Sequence, residues 1–375
     1  MGGAGGSGTA LLILVALVSL LPLLVAIVRQ DRLVSLRGEP GDALLVAVPV
    51  LATWWVSPWL GVLAAQGGLW WWWNGYPRLH GGLLWPLVAW GLWLGLQAPP
   101  WAMRASLALV LAMGVAHVAL AVGQRCRQPW FHMEEYPGGP PVCHGIIGHR
   151  TGLSIFLAVL MPLAFILPPI WAWSLVIMYG VGVWLARASV GALAAGAGLL
   201  WVMPAFWPVT VIATLVGVAG RFLEKGDTGW YIGWRQLDPR ISGALGTRVE
   251  IWRATVSALW RDVPLAVLGH GPGAFTQDAK TWTSREGFGQ HYREAHNDYL
   301  EFLYDQGFVG LVAAGGFLWS LRAGWGGLGD PLTGAALAFG VAMSLNFPAR
   351  VGSLAALGLL ILVAVAREAI WGAAW

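Results

Sequence analysis

The chain has 375 residues, of which 57% are hydrophobic and 11% charged, with a formal net charge of +4. Soluble domains carry about a quarter charged residues, so this composition excludes an ordinary soluble protein. The small net charge, without a basic cluster, argues against nucleic acid as a partner. The composition therefore predicts a polytopic membrane protein surrounded by the lipid bilayer.

Apolar segments recur from end to end, near the length that spans about 30 Å of hydrocarbon. Residues 9–28 lack a basic n-region and a convincing cleavage site, so we expect a first membrane helix rather than a signal peptide. The predicted segments are 9–28, 43–65, 82–97, 101–122, 152–168, 170–186, 188–203, 205–222, 307–321, 332–346 and 351–370. There are eleven, or twelve if 43–73 is a hairpin broken at Ser57-Pro58.

One long polar loop interrupts this pattern. Residues 221–306 hold 21 of the chain's 40 charged residues, so we expect the chemistry there. Either segment count places this loop and the loop 123–150 outside the cytoplasm. The predicted division is 1–222 for the N-terminal membrane helices, 223–306 for the large loop and 307–375 for the C-terminal membrane helices. The predicted fold class is all-α, with a helical lobe outside the cytoplasm.

The only two cysteines, Cys126 and Cys143, fall in the same external loop. Disulfides persist on that side of a membrane, so we predict a bridge between them. The alternative is a pair of unrelated thiols.

Arg187 is the one charged residue between Ile170 and Thr214. A charge at such depth costs several kcal/mol unless it is paired or reaches the interface, which makes it a candidate for function. The alternative is an arginine that snorkels from a helix end.

Thr247 and Glu250 have the spacing of a capping box, which predicts a helix with Arg248 as its first residue. A cation beside free backbone N–H groups suits an anion site. The alternative is a solvated surface arginine. Arg150, which enters a membrane segment, is a candidate for a further phosphate contact.

The run Gly269-His270-Gly271-Pro272-Gly273 predicts a tight turn, with the glycines in structural roles. It is not a nucleotide loop, because no βαβ unit surrounds it. The histidines of the loop 123–150 fit no standard zinc spacing, so no metal site is predicted.

His296 lies where the large loop returns to the membrane. Asp298 and Glu301 have capping-box spacing, so a helix is expected to begin at Asp298 with His296 just outside it. An imidazole titrates near pH 6.5 when unperturbed and accepts a proton at neutral pH. The alternative is a histidine that is merely hydrogen-bonded at the interface.

The run from Glu294 to Leu300, followed by Gly307–Gly310, resembles a signature of the bacterial O-antigen ligase and polymerase family. That signature is a His-Asn-x-x-Leu element before a Gly-x-x-Gly entry into a membrane helix. The family often has a second histidine two positions before the first, where this chain has Glu294. Whether Glu294 orients the substrate or is only solvated stays open.

Three further segments resemble the same family. Arg187, within Ala186–Ser189, resembles an arginine that faces the family's active cavity. Arg248 before Ile251-Trp252 resembles an arginine of its external loop, and Gly269–Phe275 resembles its Gly-x-Gly-x-x-x-Phe turn. The resemblance covers residues 150–350 well and the N-terminal helices only by hydropathy.

The resemblance implies a glycosyltransferase of the bacterial inner membrane, with its active site on the periplasmic face. Such enzymes move a glycan from undecaprenyl diphosphate to an acceptor sugar hydroxyl, with inversion and without a metal or other cofactor. It implies His296 as the general base beside Glu294, with the diphosphate bound by Arg187, Arg248 and Arg150. The acceptor stays open between lipid A core (a ligase), another lipid-linked repeat (a polymerase) and a protein serine (an oligosaccharyltransferase).

Two other functions are weighed against transfer. A lipid-linked glycan flippase or transporter predicts internal pseudo-symmetry and charges spread through the membrane helices, but the charge is concentrated in one loop. A peptidoglycan polymerase of the shape, elongation and division type would share the lipid carrier. The His-Asn-x-x-Leu element does not motivate it.

Overall fold

The computed structural model describes residues 51, 53, 54, 56–74, 79–126, 143, 145–147, 149–220, 244–285, 294–346 and 348–371. Across these residues every regular element is helical and no strand occurs, which confirms the predicted all-α class. The predicted first segment, 9–28, lies outside the described residues.

Thirteen α-helices occur in this part of the chain. They are α1 Pro58–Asn74, α2 Leu79–Gln97, α3 Pro100–Arg125, α4 Arg150–Leu163, α5 Pro169–Ala186, α6 Ser189–Val202, α7 Trp207–Gly220, α8 Ala244–Arg261, α9 Val263–Leu268, α10 Ala274–Arg285, α11 Asp298–Ser320, α12 Pro331–Leu345 and α13 Gly352–Trp371.

Three of the described helices, α3, α5 and α13, are long and apolar enough to cross a membrane. Four shorter apolar helical stretches are Arg150–Ile166, Ser189–Val202, Pro204–Ala219 and Pro331–Leu345. These features are those of an all-α membrane protein. The total of eleven or twelve spans and the three-part division stay predictions.

The sequence places two helix breaks well. α1 begins at Pro58, where the sequence allowed a break, and proline suits a first helical position because it lacks an N–H. α5 ends at Ala186 and α6 begins at Ser189, so Arg187 lies in the predicted connection.

The described residues form two compact units. The first comprises 1–94, 253–294 and 300–320, and the second comprises 95–252, 295–299 and 321–375. The first therefore includes α1, α9, α10 and the larger part of α11. The second includes α3 to α7, α12 and α13.

Helix α4 is the core of the second unit, with every residue from Gly152 to Leu163 buried. Glycines let its neighbours approach closely. A Cβ at Gly191 of α6 would lie 2.5 Å from the Ser154 side chain, and one at Gly198 would lie 2.8 Å from Gly334 O of α12. Small residues at such crossings are typical of membrane helix packing, where van der Waals contact drives association.

The predicted Cys126–Cys143 disulfide is not formed in the structure. Cys126 is exposed, whereas Cys143 is buried and its thiol donates a hydrogen bond to Ala121 O at 3.2 Å. The backbone of the following turn is held by α3 as well, through Gly145 N–H to the Gln124 side chain at 3.1 Å. The turn therefore packs its cysteine against α3.

In the first unit the glycine-rich turn is organised by Asp305 of α11. Its carboxylate accepts hydrogen bonds from Gly273 N at 2.7 Å and Phe275 N at 2.8 Å, at the start of α10. Gly269, Gly271 and Gly273 all have positive φ, which side chains rarely adopt. The turn is therefore a backbone structure fixed by one buried carboxylate.

Helix α11 is broken at Gly307, where φ is 63° and ψ is −169°. This is a backbone region that is essentially restricted to glycine. A Cβ at Gly307 would collide with Gly269 N and Val267 O, so two glycines form a close backbone crossing. The break separates the polar first turns of α11 from its apolar remainder.

We predict that Gly307→Ala destabilises the protein. Backbone strain alone costs about 1–3 kcal/mol in this region, and the collision with backbone atoms adds to it. Gly315→Ala in the same helix is the control, because a Cβ there meets nothing within 4 Å. Thermal unfolding in detergent should show a lower Tm for Gly307→Ala and an unchanged or slightly higher one for Gly315→Ala. Equal Tm values would contradict this account of the crossing.

Candidate active site

His296 lies in the second unit, in the short segment 295–297 before α11. Its φ is 53°, and it is one of two non-glycine residues with positive φ in the described chain. Such a conformation costs about 1–2 kcal/mol and needs support from its surroundings. The Trp252 indole N–H provides support by donating to Ala295 O at 2.7 Å. The backbone therefore holds the imidazole in one fixed, strained position.

The first turn of α11 is anchored to the C-terminal helices. The helix begins at Asp298, as predicted. The buried Asp298 carboxylate accepts from Ala349 N at 2.9 Å, and the Tyr299 hydroxyl donates to Gly340 O at 3.0 Å. Residues on both sides of His296 are thus fixed by hydrogen bonds.

The prediction that Arg248 is the first residue of its helix is wrong. Helix α8 already includes Ala244, so Arg248 lies in its second turn. Alanine and leucine are strong helix formers, and Ala244 and Leu245 extend the helix beyond the capping pattern. Arg248 is half-buried, and Nη1 donates to Leu345 O at 3.1 Å. Burial lowers the pKa of its guanidinium.

The last residue of α12 and the residues that follow it, 345–349, contact several elements of this site. The described members of this segment are Leu345, Asn346, Pro348 and Ala349. Leu345 O accepts from Arg248, and Ala349 N donates to Asp298, two residues after His296. One short segment therefore bonds to both Arg248 and the first residue of α11, although 50 residues separate these two along the chain.

The electrostatics of His296 differ from the sequence expectation. The pKa of this histidine is lowered to about 4, first by burial and then by the positive charge of Arg248. The hydrogen bond with Asn346 opposes these effects, and His149 adds a smaller lowering. The expectation of an unperturbed imidazole is therefore wrong. The ring is neutral at pH 7 and stays neutral well below it.

Arg187 is the second non-glycine residue with positive φ, at 51°, and it ends α5. Burial and the nearby charge of Arg125 lower its pKa, whereas Cys143 raises it. A desolvated cation beside another cation has a stronger attraction for an anion than a solvated one. The left-handed turn fixes the direction in which this side chain leaves the helix.

The other predicted residues are placed as follows. Arg150 is the first residue of α4 and follows His149, whose charge acts on His296. Glu294 belongs to the first unit and is half-buried. The glycine turn, with His270 stacked on Tyr304 at 3.9 Å between ring centroids, also belongs to the first unit. The roles given to Arg150 and Glu294 stay predictions.

In the described part of the chain, no group of three or more His, Cys, Asp and Glu side chains is arranged to hold a metal ion. Independence from metals stays a prediction.

A protein-family model matches the segment that holds these residues. Residues 145–315 match the model of the family described as O-Antigen ligase. The chain is therefore similar to the O-antigen ligase family over this segment. No curated protein and no solved structure gives a significant match. The segment includes His296, Arg248, Arg187 and Arg150, and ends before Asn346.

This similarity supports an enzyme of the glycosyltransferase or ligase type, embedded in a membrane. It also supports glycan transfer in general terms, with a lipid-linked glycan and an acceptor saccharide as substrates.

Two residues of the site were not predicted from the sequence. They are Asn346 and Trp252. The available signal for Asn346 was a polar side chain that directly follows an apolar helix, where a buried amide needs a partner.

Proposed function

We propose that this chain transfers a glycan from undecaprenyl diphosphate to an acceptor sugar hydroxyl on the periplasmic face of the inner membrane. The observation that carries the proposal is that residues 345–349 bond both to Arg248 and to Asp298, which follows His296 by two residues, while the charge of Arg248 acts on His296. Arg248 and His296 both lie in the segment that is similar to the O-antigen ligase family. An anion-binding cation beside a neutral base is the pair that this reaction needs.

Arg248 and Arg187 would bind the diphosphate. The guanidinium carries five N–H donors, of which the bond to Leu345 O uses one. Its planar fork binds phosphate oxygens bidentately, and desolvation strengthens that attraction. As the anomeric carbon–oxygen bond breaks, negative charge develops on the departing diphosphate, and these cations stabilise it.

His296 would act as the general base. The acceptor oxygen forms a bond to the anomeric carbon, the bond from that carbon to the diphosphate oxygen breaks, and the hydroxyl proton passes to the imidazole. Attack from the face opposite the leaving group inverts the anomeric configuration. The neutral ring that burial maintains has its lone pair available for the proton.

The pH dependence should reflect the lowered pKa of His296. Activity requires the neutral imidazole, which predominates above its pKa, so a pKa of about 4 keeps kcat/KM nearly constant from pH 7 to about one unit above that value. An unperturbed histidine would already lose half of its activity near pH 6.5. Steady-state transfer rates between pH 4 and 8 distinguish the two cases.

Donor binding should alter this profile in a defined direction. The diphosphate brings negative charge to Arg248, which opposes the lowering of the His296 pKa. The acidic limb of kcat, which reports the complex, should therefore lie at higher pH than that of kcat/KM, which reports the free enzyme. The imidazole also resists protonation in the folded state, so stability falls as pH drops from about 6.5 toward its folded pKa. The amount of folded protein must be measured at each pH, and coincident limbs near pH 6.5 would contradict the account.

The glycan pattern of a deletion strain tests the biological function. Loss of all O-antigen with accumulated lipid-linked polymer identifies a ligase. Lipid A core that carries a single repeat identifies a polymerase, and loss of glycan from proteins alone identifies a protein oligosaccharyltransferase. An unchanged glycan pattern in all three would contradict the proposed function.

A further inference from the structure

Helix α8 carries two side chains that bond to backbone carbonyls of other elements. Arg248 and Trp252 are four residues apart, so they lie on the same face of the helix, one turn from each other. Arg248 Nη1 donates to Leu345 O at 3.1 Å, and Trp252 Nε1 donates to Ala295 O at 2.7 Å. One face of α8 therefore bonds both to the end of α12 and to the segment that precedes α11.

The bond from Trp252 acts on the peptide group that leads into His296. Ala295 O lies in the same planar unit as the backbone nitrogen of His296. Holding this oxygen therefore fixes the plane from which the φ of 53° departs. On the other side of the histidine, the carboxylate of Asp298 accepts from Ala349 N at 2.9 Å. The strained residue is thus held at both of its ends.

The left-handed conformation of His296 makes this support important. A histidine adopts such a backbone unfavourably, and the conformation persists only where the surroundings impose it. Ala295 is fully buried, so the peptide is held inside the protein rather than by water. Without the indole bond, the short segment 295–297 can relax toward an ordinary φ, and that rotation turns the imidazole out of its place.

We propose that Trp252 is a positioning residue for the base: its indole N–H holds the peptide before His296, which keeps the imidazole at a fixed place relative to Arg248. The proposal rests on the proposed function of His296 and deepens it. Arg248 and Trp252 belong to consecutive turns of one helix. The same helix therefore sets the spacing between the cation for the diphosphate and the ring that takes the proton.

Trp252→Phe removes the indole N–H and keeps an aromatic ring. A misplacement of about 1 Å in a catalytic group can cost about 10²-fold in rate, so kcat should fall about 10- to 10²-fold. The affinity for the donor should stay close to that of the unchanged protein, because Arg248 is held by Leu345 O and not by Trp252. Single-turnover transfer and separately measured donor binding give the two quantities.

The pH profile provides a readout that a loss of stability alone does not move. Burial is the largest cause of the lowered pKa of His296, about 4, so a ring that relaxes toward water regains a higher pKa. In Trp252→Phe the acidic limb of kcat/KM should move upward, toward the unperturbed value of about 6.5. The charges of Arg248 and His149, and that of the adjacent Asp298, are the same in this variant.

Trp201→Phe is the matched control. Trp201 is half-buried like Trp252, and its indole N–H also donates to a backbone carbonyl of the same unit, Gly327 O at 3.0 Å. It lies at the opposite end of α6 from Arg187. Its loss should lower Tm while the rate per folded protein and the acidic limb stay in place.

The assay uses the purified full-length chain in lipid nanodiscs, with a lipid-diphosphate oligosaccharide as donor and with folded protein quantified for each variant. If Trp252→Phe does not fold, benzothienylalanine at position 252 repeats the test, because sulfur replaces the N–H in a side chain of nearly the same shape. The same fall in kcat and the same shift of the limb are expected for this analogue.

A double-variant comparison completes the test. In a His296→Asn background, Trp252→Phe should not slow the residual rate further, because the ring that it positions is gone. The proposal is overturned if the variants at position 252 keep the rate per folded protein and the acidic limb, or if Trp201→Phe changes both equally. Full turnover in His296→Asn alone would instead refute the base itself, and this proposal with it.

Discussion

His296→Ala should slow glycan transfer at least about 10²-fold while donor binding persists, since general-base catalysis contributes about 10²–10⁴-fold. The cations proposed to bind the diphosphate are unchanged in this variant. The measurement is single-turnover transfer by purified protein, with donor affinity determined separately.

The strained backbone at His296 calls for a second variant. Asparagine tolerates positive φ better than most residues, so His296→Asn keeps the turn while removing the base. It should be as slow as His296→Ala and at least as stable. His270→Ala should be much milder, since this ring stacks on Tyr304 in the other unit. If His296→Ala retains most of its turnover while Glu294→Gln loses it, the base is the carboxylate.

Arg248→Lys should reduce turnover about 10²–10³-fold, the cost of losing one donor to a developing oxyanion. An ammonium keeps the charge, but it cannot bond to Leu345 O and also bind phosphate through a planar fork. The same reasoning applies to Arg187→Lys, whose left-handed backbone fixes the direction of its side chain. Transfer rates and donor affinity of the purified variants measure the effect.

The control for Arg248 is Arg253→Lys on the same helix, where the side chain is exposed and the exchange should be tolerated. The acidic limb of the pH dependence of kcat/KM provides a second check. Arg248→Lys should leave it in place because the charge remains, whereas Arg248→Met should move it upward because the charge that lowers the His296 pKa is gone. Near-normal activity of both Arg187→Lys and Arg248→Lys would remove these arginines from the mechanism.

Much of the fold could be predicted because its causes are local. The apolar runs on either side of Arg187 place the ends of α5 and α6 to within a residue or two, and the acidic spacing at Asp298 marks the start of α11. The capping pattern at Thr247 predicted the wrong helix start, also for a local reason, because the helix already includes Ala244 and Leu245.

The site itself depends on contacts between distant residues, which no local pattern records. Arg248 reaches Leu345 O across 97 residues, so this contact could not be inferred from its neighbours in the sequence. The lowered pKa of His296 arises from burial and from Arg248, and both depend on how the helices pack. The state of the cysteines also depends on packing. Their spacing in the sequence allowed a disulfide, but both are free and Cys143 is buried against α3.

The most direct test of bond-making chemistry is a reconstituted reaction. Purified protein in proteoliposomes would receive an undecaprenyl diphosphate oligosaccharide and an acceptor saccharide, and the products would be analysed by mass spectrometry and NMR. The account predicts free undecaprenyl diphosphate and a glycosylated acceptor with inverted anomeric configuration, both abolished in His296→Asn. Donor that crosses the bilayer with its sugar–phosphate bond intact, and no glycosylated acceptor, would contradict it and identify a flippase.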